Sequence, residues 1–261
     1  MHRIAFCQSK GGVAKTTLSV NVAACLASRG KNVLLCDLDG QMSASDFVGF
    51  DISQQQNLLL DAMLGRIEPA DAVIKTGIEN LSLVPASLHL YSAESILNSE
   101  IAADSLLLHL LDDYSQSYDF CIVDCPPSIN LLNWNALIAA KQVILPCEAS
   151  HASLLAMKNL LRAINTLERR RDIAVNNLGI IATRVDKRTK NSQKAVQLLD
   201  QAFAGLLFDT RFTETVKVKE SMAHKSPLIS FAPEHNAAAE IVALTNEIEQ
   251  RLANKESRHA A

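Results

Sequence analysis

The sequence predicts a doubly wound α/β fold, with a mostly parallel sheet and helices on both faces. Three observations predict it. Short apolar runs recur along the 261-residue chain, longer segments of helical periodicity separate them, and the runs are continuously apolar rather than alternating. Continuous apolarity marks strands covered on both faces, the condition of a parallel sheet under helices. Regular alternation of β and α supplies the crossovers that such a sheet needs.

The strand runs are residues 4–7, 33–36, 81–84, 120–123, 143–145 and 178–182. Residues 16–28 form the first helix, with Leu18, Val22 and Leu26 on one apolar stripe. "RGKN" at 29–32 ends it at Gly30 and turns into the next strand. Residues 154–167 form a later helix, with Leu154, Leu155, Leu161 and Ile164 as inward-facing candidates. One domain is expected over residues 1–253, followed by a polar, frayed tail at 254–261.

Composition narrows the function classes. No run of 18 uncharged apolar residues occurs in the chain, so no membrane-spanning helix is expected. The N-terminal segment lacks the basic start and long apolar stretch of a signal peptide, and a cytoplasmic location is expected. The six cysteines make no CxxC pair and mostly sit in apolar runs, which suits buried small hydrophobes better than metal ligands. Net charge is -3, so contact with nucleic acid requires a local basic patch.

The chemistry concentrates in "SKGGVAKTT", residues 9–17, between the first strand and the first helix. In an open α/β sheet, ligands bind at this end of the strands. Gly11 and Gly12 let the backbone curl inward, and the helix start adds unpaired N–H groups and a positive dipole end. Lys15 has the reach for β and γ phosphates, and Thr16 can offer its hydroxyl to Mg²⁺. The strict G-x-x-x-x-G-K-[ST] pattern fails, because Ser9 and Ala14 replace its two glycines. A positive φ at Ala14 would cost roughly 1–2 kcal/mol, and a negative φ little.

The loop resembles the deviant Walker A motif Lys-Gly-Gly-x-Gly-Lys-Thr-Thr of the ParA/MinD ATPases, departing from it only at Ala14. The resemblance implies a P-loop ATPase with ATP and Mg²⁺ as cofactors. Residues Lys10, Gly11, Gly12, Val13, Ala14, Lys15, Thr16 and Thr17 would hold the phosphates. Lys10 would be the signature lysine, which reaches a partner's nucleotide in an ATP-dependent homodimer. "LLCDLDGQ" (34–41) resembles the family's "DLDPQ" segment, with Gly40 in place of proline. Asp39 is then the residue that positions the attacking water, and Asp37 serves Mg²⁺ or loop support. "FCIVDCPPS" (120–128) resembles a Walker B strand, with Asp124 holding Mg²⁺. "GIIATRVDKRTKNSQ" (179–193) resembles a segment near the base, which puts Thr183 and Arg184 beside adenine.

By the same resemblance the ATP dimer binds DNA without reading its sequence, through phosphate contacts from Lys and Arg. Two basic clusters qualify: Arg184, Lys187, Arg188, Lys190 and Lys194, and Lys217, Lys219 and Lys225. Arg188, Lys217, Lys219 and Lys225 are the chosen contacts, with Lys219 in the place of a family arginine associated with DNA binding. A ParB-like or other small adaptor would stimulate hydrolysis, releasing the protein from the nucleoid and moving a plasmid, chromosome region or protein cargo. A MinD-like membrane ATPase and an ATP-binding scaffold with weak hydrolysis are the alternatives. The end of the chain lacks aromatics on its apolar stripe, which favours packing on the domain over membrane binding.

Overall fold

The computed structural model of the chain describes residues 1–54, 56, 58–185 and 189–259. Its centre is an eight-stranded sheet in the order β3-β4-β2-β5-β1-β6-β7-β8. The strands are β1 (His2–Phe6), β2 (Val33–Asp37), β3 (Ile74–Lys75), β4 (Leu81–Val84), β5 (Phe120–Asp124), β6 (Gln142–Glu148), β7 (Asn176–Thr183) and β8 (Leu207–Phe212). All neighbours pair in parallel except β3, which runs antiparallel to β4. The six expected runs are the six inner strands. The two edges, β3 and β8, went unread: β3 has two residues, and Asp209, Thr210 and Arg211 interrupt the apolar pattern of β8.

The helices are α1 (Lys15–Ser28), α2 (Ser43–Phe47), α3 (Leu58–Met63), α4 (Ala93–Leu97), α5 (Leu106–Asp113), α6 (Leu131–Ala140), α7 (His151–Arg171), α8 (Lys190–Ala202), α9 (Val216–Ala223), α10 (Leu228–Phe231) and α11 (Asn236–His259). They cover both faces. One core holds Ala5, Cys7, Leu34, Cys36, Cys121 and Val123 against α3, α5, α6 and α7. The other holds Ile4, Phe6, Val33, Leu35 and Ile122 against α1, α2, α10 and α11. Alternate residues of one strand thus enter different cores, which is why the strands read as continuously apolar.

Three local expectations are corrected. The first helix is no one-sided stripe: twelve of the 14 residues of α1 are buried, because sheet, α2, α10 and α11 all pack on it. In α7 Ile164 is buried and Leu154 and Leu161 pack half-buried against the core as expected, but Leu155 is 65% exposed, and Met157, Leu160 and Leu167 complete the inward side. Helix α11 continues through His259, past Asn254, where the polar composition suggested an end. Its apolar side, Ile241, Leu244, Ile248 and Leu252, is buried in the core.

All six cysteines are free and buried. Burial pushes the thiols of Cys36, Cys121, Cys125 and Cys147 up, so they stay protonated packing groups.

Candidate active site

Parallel strands deliver their C-terminal ends to one edge of the sheet, and the loop from Cys7 to Ala14 lies there between β1 and α1. Gly12 has φ +71°, and a β-carbon on it would lie 3.7 Å from the Arg184 guanidinium. Ala14 has φ 64° and ψ 23°, so it sits in the left-handed region. The methyl group that replaces the expected glycine is therefore strained by roughly 1–2 kcal/mol. No side chain caps α1 and its first turn has no acid, which leaves the N–H groups and dipole end open to an anion.

Lys15 opens α1 and is buried, with Nζ 3.7 Å from Asp124 Oδ1. Burial pulls its ammonium down, but the charge of Asp124, aided by Asp39, more than offsets this and leaves it raised. Asp124 ends β5 and is wholly buried. Its Oδ2 accepts a hydrogen bond from the Thr16 hydroxyl at 2.7 Å, while Oδ1 has no hydrogen-bond partner among the described residues. Burial raises this carboxyl, opposed by Lys15 and the hydroxyls of Thr16 and Ser19. An orphaned, buried carboxylate oxygen beside a hydroxyl is a hard oxygen donor set, which fits Mg²⁺.

Asp37 lies beside Asp124 in the register of β2 and β5. Its Oδ1 accepts from the Asp39 N–H at 3.1 Å, and its Oδ2 from the N–H and hydroxyl of Ser45 at 2.8 and 2.7 Å. Of its two expected roles, loop support matches these bonds. Burial and then the Asp124 charge push its carboxyl up to about 7. Asp39 is freer: one carboxylate oxygen accepts from the Gln41 N–H at 3.0 Å, and the side chain lines the phosphate cavity.

That cavity has a volume of about 290 Å³ and is lined by Lys10, Gly12, Lys15, Thr16, Asp39 and Pro127, among others. A second cavity of about 800 Å³, lined by Val185, Thr213, Thr215, His235 and Asn236, shares Arg184, Glu214 and Lys219 with it. The shared residues make the two one cleft of a size suited to a small molecule. Arg184 Nε pairs with Glu214 at 2.6 Å across the junction. Lys10 folds back on its own chain and pairs with Glu148 at the end of β6.

Most of the sequence-chosen residues meet here: Lys10, Gly11, Gly12, Ala14, Lys15, Thr16, Thr17, Asp39 and Arg184 line the phosphate cavity, and Asp124 closes its floor through Lys15 and Thr16. Val13 is buried, so its side chain serves the core. Thr183 is buried at the end of β7 and does not line either cavity; Arg184 stands there instead. Lys219, chosen for DNA, lines both cavities, whereas Lys217 pairs with Glu220 and Lys225 with Asp46. Arg188 and Lys187 lie outside the described residues. The sequence reading missed Glu214, His235 and Asn236 because they follow the unread strand β8. It also missed Glu148, although that acid ends an apolar run just as Asp124 does.

Comparison with known proteins agrees with this geometry. The family model described as an AAA domain matches residues 1–178. The sporulation initiation inhibitor protein Soj of Bacillus subtilis is 31% identical over 94% of this chain and 97% of its own length. The chromosome-partitioning ATPase Soj of Treponema pallidum is 31% identical over 95% and 97%. The chain belongs to the ParA family of partitioning ATPases. Among solved structures, a Cyanothece McdA variant in complex with ATP superposes with a TM-score of 0.87 at 23% identity, covering 97% of this chain and 96% of that one. ParA-family proteins are ATPases that dimerise with ATP and act with partner proteins. In this chain Ala14 stands before Lys15 in the left-handed conformation that favours glycine.

Proposed function

We propose that this ParA-family ATPase forms an ATP sandwich dimer that binds DNA without sequence preference and positions a cargo. A small ParB-like adaptor would stimulate hydrolysis and release it. The observation that carries the reading is the loop with two lysines, both lining one cavity at the C-terminal ends of the strands. Lys15 is committed to the loop's own phosphate cavity. Lys10 lines the same cavity, 40% exposed and paired with Glu148. Large exposed hydrophobics, Leu88, Ile129, Leu155 and Val216, follow the C-terminal ends of β4, β5, β6 and β8 on the same edge. Exposed apolar side chains on the nucleotide-loop side of the sheet suit a protein–protein face.

Each chain residue then has a task. The loop N–H groups, the start of α1 and Lys15 take the phosphates. Thr16 and Asp124 would hold Mg²⁺, which offsets phosphate charge. Asp39 orients the attacking water, and positioning of this kind is most of what phosphoryl transfer asks of a protein. Lys10 leaves Glu148 and reaches the partner's nucleotide, so the dimer depends on ATP. Lys190, Lys194, Lys217 and Lys225 are exposed and supply candidate phosphate contacts for DNA. The apolar side of α11 is taken up by the core, which speaks against a MinD-like membrane helix.

Lys10→Ala tests the dimer. Light scattering is expected to show an ATP-dependent dimer for the natural chain and a monomer for the variant, with nucleotide still bound. A variant that dimerises normally would refute the role given to Lys10.

A further inference from the structure

Gly40 departs from the family's proline, and its backbone does not explain the change. Gly40 is absent from the residues with positive φ, so the turn itself has no need of glycine. The neighbouring ring does. A β-carbon on Gly40 would lie 3.2 to 3.3 Å from Cγ, Cδ2 and Cε2 of Tyr91, closer than ordinary contact. Tyr91 ends a short turn, Leu88–Tyr91, that follows β4, the strand next to β2. Although 59% exposed, it is tied at both ends of its ring. The ring carbons rest on Gly40, and the phenol oxygen accepts a hydrogen bond from Gln41 Nε2. The Gln41 N–H in turn donates to Asp39 Oδ1. Burial and then the charge of Asp39 raise the phenol, so the two side chains share one electrostatic environment.

Glycine loosens a turn, since it has the most backbone freedom to lose. A carboxylate that orients water must be held to about 0.5 Å, and a displacement of about 1 Å can cost on the order of 100-fold in rate. We infer that Tyr91 is a positioning residue, which clamps Gly40 and Gln41 from outside and so fixes the Asp39 carboxylate against the attacking water. The inference rests on the role of Asp39 proposed above. Tyr91 supplies from a neighbouring segment the stiffness that a proline would build into the turn.

The test measures single-turnover hydrolysis of Mg-ATP and affinity for a fluorescent ATP analogue in the full chain. Tyr91→Ala is expected to slow hydrolysis by roughly 10- to 100-fold while affinity and ATP-dependent dimerisation stay as in the natural chain. Tyr91→Phe keeps the ring on Gly40 but loses the Gln41 bond, and is expected to fall between. Gly40→Ala should slow the natural chain by displacing the ring, yet have no further effect beside Tyr91→Ala, a non-additivity that marks direct coupling. Asp39→Ala is run alongside. If it abolishes hydrolysis and Tyr91→Ala does not slow it, the inference about Tyr91 fails alone. If Asp39→Ala hydrolyses normally, the role of Asp39 fails and takes the inference with it. Equal losses in rate and affinity for Tyr91→Ala, or a lost dimer, would also overturn it, since they indicate a structural or interface role.

Discussion

At Ala14 the loop keeps a glycine's conformation without the glycine. The sign of its φ was not legible in the sequence, because a methyl group neither forbids nor requires the left-handed region. The observed φ of 64° settles it. Ala14→Gly removes a strain of roughly 1–2 kcal/mol, partly offset by the greater freedom of glycine in the unfolded chain. We expect a net gain of about 1 kcal/mol, or roughly 2–4 °C in Tm without nucleotide. A Tm that is unchanged or lower would contradict the strain. Asp37 predicts a pH effect. Its carboxyl rises from 3.8 to about 7 in the folded protein, so between these values the folded state holds a proton that the unfolded state has released. Its contribution to stability is therefore full below about pH 4 and lost as pH rises through about 7. Without nucleotide and Mg²⁺, Asp37→Asn should gain on the natural chain as pH rises from 4 to 8 in denaturant unfolding. A constant difference between the two proteins would show that Asp37 does not titrate in this window.

At the scale of elements, legibility followed burial. Strands β1, β2, β4, β5, β6 and β7 lie between two helical layers and must be apolar on both sides, so their sequences announce them. The edge strand β8 is held differently. Helix α11 presents Glu240 and Glu247, two turns apart, to its backbone. Glu247 accepts from the N–H groups of Asp209 and Thr210 at 2.7 Å each and from the Thr210 hydroxyl, and Glu240 accepts from the Thr213 N–H at 2.7 Å. Pairing of this kind depends on where a distant helix packs, and no local pattern encodes it. The phosphate side of the cleft was legible because it rests on one contiguous motif and two strand-ending acids. On the other side Arg184 was legible and Glu214, His235 and Asn236 were not, since they follow β8. Glu247→Ala leaves charged hydrogen bonds unmade and should cost roughly 1–3 kcal/mol. Urea unfolding that shows no loss would mean that α11 does not hold the edge.

At the scale of the molecule, one edge of the sheet gathers the loop and the cleft beside it, and with a net charge of -3 the proposed DNA contact would fall to local lysines. Long-range attraction of the whole chain to DNA is therefore weak, and two copies brought together by ATP would double the local positive patch. On the proposed reading this would link nucleotide state to DNA affinity. It would also make the interaction steeply dependent on salt, because each phosphate contact releases counterions. The most direct measurement is binding to a random-sequence DNA duplex with ATP, with ADP and without nucleotide, at two salt concentrations. Tight binding is expected with ATP alone, weakening sharply at the higher salt. Equal binding in all three nucleotide states, or none with ATP once nucleotide binding is confirmed, would contradict it.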